Sequence, residues 1–217
     1  LWSENSQKYE RMVDRAGNCG VHSYYKESGW LIRVESFGTD EEPCPVKDGW
    51  VVCKQSYDSW GNLIEQSFWD EKDQPLVNVM GIHKVENTYL SGCLIKRAHY
   101  GINGLKTIQQ GYASIRMKYD NEGNQIEWAF FNDLDQPCLD LSSGTHLTRR
   151  IFDDKGRVKD ERYFGIANEE PCENQYGNHG FRFKYGDHGK LEEQIYLGIN
   201  EEPKENRNGY AIERMKY

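Results

Sequence analysis

Residues 119–131 read Tyr-Asp-Asn-Glu-Gly-Asn-Gln-Ile-Glu-Trp-Ala-Phe-Phe. Just upstream, Ile115, Met117 and Tyr119 alternate with Ser114, Arg116 and Lys118. Successive side chains in a strand point to opposite faces, so this alternation predicts a half-buried strand. Asp120 to Gly123 then supplies turn chemistry. Glycine tolerates positive φ, and Asp or Asn can hydrogen-bond the local backbone. A second strand is expected over Gln125 to Phe131, followed by a looser turn from Asn132 to Pro137. Proline fixes its φ and lacks an N–H, which predicts a place outside the paired ladder.

The same unit recurs along the chain. Corner aromatics stand at Tyr25, Tyr57, Tyr89, Tyr119, Phe152, Tyr185 and Tyr217, in steps of 32, 32, 30, 33, 33 and 32. Three further markers keep step with them. A glycine lies eight residues before each corner (Gly49, Gly81, Gly111, Gly144, Gly177, Gly209). A proline follows 18 or 19 residues after it (Pro43, Pro75, Pro137, Pro171, Pro203). An aromatic or leucine lies eight residues after each corner glycine (Phe37, Trp69, Tyr100, Phe131, Phe164, Leu197). The third unit departs from the rule. Its corner, Tyr89-Leu90-Ser91-Gly92, is one residue short, and Gly104-Leu105 stands where others carry Glu-Pro or Gln-Pro.

A fixed period of this size predicts a stacked array. The expected fold is all-β: about six tandem antiparallel hairpins of about 32 residues, in an elongated or spiralling sheet. The array is read as one continuous domain, residues 1–217, with a degenerate part at 1–17. Its units lie near 18–49, 50–81, 82–111, 112–144, 145–177 and 178–209, with a partial unit at 210–217. The one stretch allowed to be helical is Ser6 to Arg15. The chain starts mid-pattern without Met, which suggests a processed or excised piece.

Tyr57-Asp58-Ser59-Trp60-Gly61-Asn62-Leu63-Ile64-Glu65 and Tyr119 to Glu127 carry a resemblance to bacterial YD (RHS-type) repeats and to hairpin repeats of the MORN type. The resemblance implies a non-enzymatic array, and an extracellular or cell-surface location in a bacterial protein.

Composition narrows the function. The 217 residues are 37% hydrophobic and 29% charged, with 14 Tyr, 8 Phe and 6 Trp. A mean hydropathy of −0.88 suits a thin sheet whose core is built from aromatics. The net charge of −8 argues against nucleic acid, which calls for a basic surface. No apolar run has the length of a membrane span.

No catalytic set emerges. Glu41-Glu42, Glu169-Glu170 and Glu201-Glu202 recur in one loop and read as solvated charges. His83, His146 and His179 occupy one repeat position and read as structural. The acidic turns lack the ligand spacing of a calcium loop. The cysteines Cys19, Cys44, Cys53, Cys93, Cys138 and Cys172 have no C-x-x-C spacing. They are expected to be half-buried thiols, with a Cys44–Cys53 disulfide as the rival. The sequence therefore implies no metal and no cofactor.

The tryptophans are the candidate ligand-binding residues. Paired aromatics such as Phe68-Trp69 and Phe130-Phe131 must point to opposite faces, and an uncovered member can stack on a sugar or a partner. Trp50, Trp60, Trp69 and Trp128 are the best candidates. Trp50 and Trp60 have no Trp counterpart in later units. The reading is a binding or scaffolding module for a protein or cell-wall polysaccharide partner. The alternatives are a passive spacer and a fragment of a carbohydrate-active enzyme using Glu65 and Glu127.

Overall fold

A computed structural model describes residues 8–10, 20–38, 41–167 and 169–217. Its described residues form strands and turns without a helix. They divide into two compact units, Leu1–Gln109 and Gln110–Tyr217. The first unit holds β1 (Lys8–Glu10), β2 (Gly20–Tyr25), β3 (Leu31–Phe37), β4 (Val52–Tyr57), β5 (Leu63–Trp69), β6 (Lys84–Leu90) and β7 (Cys93–Tyr100). The second holds β8 (Ser114–Tyr119), β9 (Gln125–Phe131), β10 (Leu147–Phe152), β11 (Val158–Phe164), β12 (Gly180–Tyr185), β13 (Leu191–Leu197) and β14 (Ile212–Arg214). Within each unit every strand pairs antiparallel with its neighbour in the chain, as a meander of hairpins. The tandem-hairpin reading holds. The helical expectation over Ser6 to Arg15 fails at Lys8–Glu10, which pairs with β2, and otherwise lies outside the described residues.

Each corner glycine and each inter-repeat glycine adopts positive φ, such as Gly123 at 85° and Gly111 at 93°. These glycines recur because L side chains are strained there. Where Asp or Asn opens a turn, its side chain completes it. Asp120 Oδ1 accepts from the Glu122 and Asn124 N–H groups at 3.0 and 2.8 Å. Asn132 does the same for Leu134 and Gln136 in the proline loop. Asn174 does so for Tyr176 and Asn178 in the turn between repeats. Turns of the last kind are tied in register, with Val79 N–H donating to Asp48 O and Arg207 N–H to Tyr176 O, both at 2.8–2.9 Å.

Two features go beyond the sequence reading. The register shifts just before each of the first six corner aromatics, as between Lys118 and Tyr119, so that Lys118 faces Glu127 while Tyr119 faces Gln125. Ile126 is the extra residue of this bulge, which adds local twist. The marker prolines lie outside the strands, as expected, yet each is still bridged. Phe37, Trp69, Phe131, Phe164 and Leu197 each form a single antiparallel bridge with the following proline. Flanking peptides make the bonds: Asp70 N–H to Gln74 O at 3.0 Å and Leu76 N–H to Phe68 O at 3.0 Å. The missing proline N–H is therefore never needed. In the third unit Lys106, not Leu105, fills the proline's place opposite Tyr100.

The core is thin. In the first unit Cys53, Phe68 and Ile82 cluster, with Val34, Trp50 and Val85 against them. In the second, Leu147, Leu197, Phe130 and Tyr163 are buried beside polar Thr145, Ser114 and Asn178. The five described cysteines are free thiols, so Cys44 and Cys53 form no disulfide; Cys19 lies outside the described residues.

Candidate functional site

Trp69, Phe131 and Phe164, eight residues after their corner glycines, are covered by side chains of their own and the next repeat. Lys54 Nζ lies 4.0 Å from the Trp69 ring centroid, Arg116 lies 3.9 Å from Phe131 and Arg149 lies 4.9 Å from Phe164. Histidines pack edge-on from the next strand: His83 on Trp69 at 5.1 Å, His146 on Phe131 at 5.5 Å and His179 on Phe164 at 5.7 Å. Their Nδ1 atoms bond to the carbonyls of Leu76, Cys138 and Cys172 at 2.9–3.2 Å. The histidine column is structural. Among the described residues no three His, Cys, Asp or Glu side chains come together as a metal site.

A proline-loop acid at positive φ closes each of these stacks. Asp73 meets Lys54 at 3.0 Å, Asp135 meets Arg116 at 2.9 Å, and Glu169 pairs with Arg149. Glu201 meets Arg162 at 2.8 Å and Arg182 at 3.1 Å. Glu169 and Glu201 are thus ion-paired rather than merely solvated. In two places a counter-charge also relieves like charges set opposite one another. Arg33 faces Lys54 across β3 and β4 with Asp73 between them, and Glu65 faces Glu86 with Lys84 between them. The Arg33 bond holds the Asp73 carboxyl below its ordinary range.

The four candidate tryptophans fall in different environments. Trp50 is half-buried and stacks on Phe68 at 6.3 Å against the core cluster. Trp69, on the opposite face of β5 from Phe68, is half-buried between Lys54 and His83, and its Nε1–H donates to Ser67 Oγ at 2.9 Å. In the second unit Trp128 is half-buried under the Arg150 guanidinium at 4.5 Å, and Arg150 pairs with Glu161 at 2.6 Å. Trp60 differs: it stands 85% exposed on the second corner.

Trp60 borders an open groove of about 500 Å³ lined by Asp58, Trp60, Asn62, Tyr89, Ser91 and Gly92. Its origin lies in the short third corner. At the first corner Trp30, just after Gly29, packs on the next corner at Tyr57, 5.5 Å away, and against Gly61. At the second corner the matching residue is Asn62, folded back onto Asp58 with Nδ2 donating to Oδ2 at 2.8 Å. The third corner has no Asp to build the usual turn. Ser91 and Gly92 take φ of 51° and 82° in a tight two-residue hairpin, with Leu90 paired to Cys93. Space between the two corners is left open.

The groove has a defined polar side. Asp58 Oδ1 accepts from the Trp60 and Asn62 N–H groups, each at 2.9 Å. The Asn62 side-chain bond, with these backbone bonds, holds the Asp58 carboxyl below its usual range despite slight desolvation. Tyr89 and Ser91 join the candidates only in the structure, and the signal for them was the missing residue of the third corner. A second groove of about 400 Å³ includes Arg33, Lys54 and Asp73, whose charges already pair with one another.

No family model and no curated protein matches the chain. Solved structures do. The crystal structure of TcdB2-TccC3 without its hypervariable C-terminal region is 14% identical over 82% of this chain and 9% of that one, with a TM-score of 0.42. The Photorhabdus luminescens Tc holotoxin pore is 12% identical over 85% and 10%, with a TM-score of 0.37. TcdB2-TccC3 itself is 13% identical over 83% and 11%, with a TM-score of 0.30. The chain spans about a tenth of the length of these matched chains.

Proposed function

We propose that this chain is a non-enzymatic repeat scaffold of an exported or cell-surface bacterial protein, which binds a cell-wall or protein partner through Trp60. The observation that carries this reading is the exposure of Trp60 on a corner whose backbone is fixed by Asp58. A large aromatic held in water on a rigid turn contributes little to folding and is well placed to bury area against a partner. Trp50 and Trp69 serve packing within the first unit, and Trp128 packs under Arg150 in the second.

The carboxylates support the non-enzymatic reading. Glu127 is bound by Lys118 at 2.7 Å and Arg149 at 2.8 Å. Burial raises its pKa, but those two cations bring it below the ordinary value. A glycosidase acid needs the opposite shift. Glu65 sits beside Lys84 at 3.7 Å in the other unit.

Sedimentation of the protein with bacterial cell-wall material, in wild-type and Trp60→Ala forms, tests the proposal. Loss of binding at an unchanged melting temperature supports it. Equal binding by both forms removes Trp60 from the site, and absence of binding by either leaves a spacer or a scaffold for a protein partner.

A further inference from the structure

We infer that the groove between the second and third corners is a subsite for a neutral saccharide; the inference rests on Trp60 being the binding residue. The Trp60 indole offers an exposed apolar ring face, of the kind that stacks on the C–H face of a sugar ring. Polar groups stand beside it on the lining: the Asp58 carboxylate, the Asn62 carboxamide, the Tyr89 phenol and the Ser91 hydroxyl. A mostly apolar surface with a few convergent hydrogen-bonding groups is the make-up of small-molecule sites.

Asp58 holds the polar side of the groove in place. An ionised carboxylate offers about four lone-pair sites. Its Oδ1 takes the Trp60 and Asn62 N–H groups, and its Oδ2 takes the Asn62 side chain. The Gly61 N–H adds to these, so the hydroxyls of Ser91 and Tyr89 are the groups left to donate to or accept from a sugar hydroxyl. The only charge on the lining is negative, and the whole chain carries −8, which disfavours uronate or phosphate-bearing glycans. At about 500 Å³ the groove falls within the roughly 300–1,000 Å³ of small-molecule sites. Corners with another arrangement lack the combination. The positions matching Trp60 hold Ser28, Ser91, Glu122, Lys155 and His188.

The test is a fluorescence and calorimetric titration with soluble β-linked and α-linked neutral glucans, chitooligosaccharides and polygalacturonate. Wild-type, Trp60→Ala, Tyr89→Phe and Trp128→Phe proteins are compared, and each saccharide is also used to displace the protein from cell-wall material. The expected result is saturable binding of a neutral saccharide that perturbs Trp60 emission. Binding should weaken at least tenfold in Trp60→Ala, weaken less in Tyr89→Phe and stay unchanged in Trp128→Phe. Preference for polygalacturonate overturns the neutral class. Trp60-dependent wall binding that no neutral saccharide displaces overturns the saccharide while leaving the binding role of Trp60 intact. Absence of all binding, or unchanged binding by Trp60→Ala, overturns both.

Discussion

Trp50 and Trp60 lie on one repeat yet carry opposite expectations. Trp60→Ala removes a side chain that is 85% exposed, so stability should stay within about 0.5 kcal/mol of wild type. Trp50→Ala removes a ring stacked on Phe68 over the small first-unit core and should cost about 2–3 kcal/mol. Urea unfolding of the two variants checks the contrast, and similar losses would contradict it. Asp153 gives a pH test at the same scale. Its bonds to Arg157 and to the backbone N–H groups of Arg157 and Lys155 lower its pKa from 3.8 to about 2. A depressed folded-state pKa contributes stability above the unfolded value and loses it as pH falls toward the folded one. The wild type should therefore lose stability between about pH 4 and pH 2, and Asp153→Asn should flatten that part of the curve. Equal slopes for the two proteins would count against the turn bonds.

At the scale of the element, turn chemistry and cross-strand charge make separate demands. Gly123 and Gly111 both have positive φ, but a Cβ on Gly123 meets open space. A Cβ on Gly111 would lie 2.7 Å from the Leu139 carbonyl and 2.8 Å from Leu141 Cγ. Gly123→Ala should cost about 1–2 kcal/mol from backbone strain alone, and Gly111→Ala clearly more, as read by thermal unfolding. Asp73→Asn leaves Arg33 facing Lys54 across two strands. It should cost about 0.5–1 kcal/mol, with a larger effect at low salt than at high. A loss independent of salt would mean that Asp73 acts through its turn instead.

Across the whole molecule, period, strand positions and turn glycines were legible in the sequence because backbone rules leave local traces. Gln125–Phe131 reads as a strand from seven residues, and Gly123 marks its turn by lacking a Cβ. The bulges, proline bridges and charge stacks were not legible. Asp73 meets Arg33 forty positions away, and Phe131 is covered by Arg116 and His146, so these contacts depend on strand register. Trp69 and Trp128 looked open for the same reason, since the side chains covering them come from other strands. The groove did leave a trace, because Tyr89-Leu90-Ser91-Gly92 breaks the period beside Trp60. The measurement that tests this account most directly is acrylamide quenching of tryptophan emission in wild-type and Trp60→Phe proteins. The account predicts that Trp60→Phe removes a red-edge, readily quenched component without changing the melting temperature. Unchanged emission and quenching, or a lowered melting temperature, would show that Trp60 is packed rather than presented, and would contradict it.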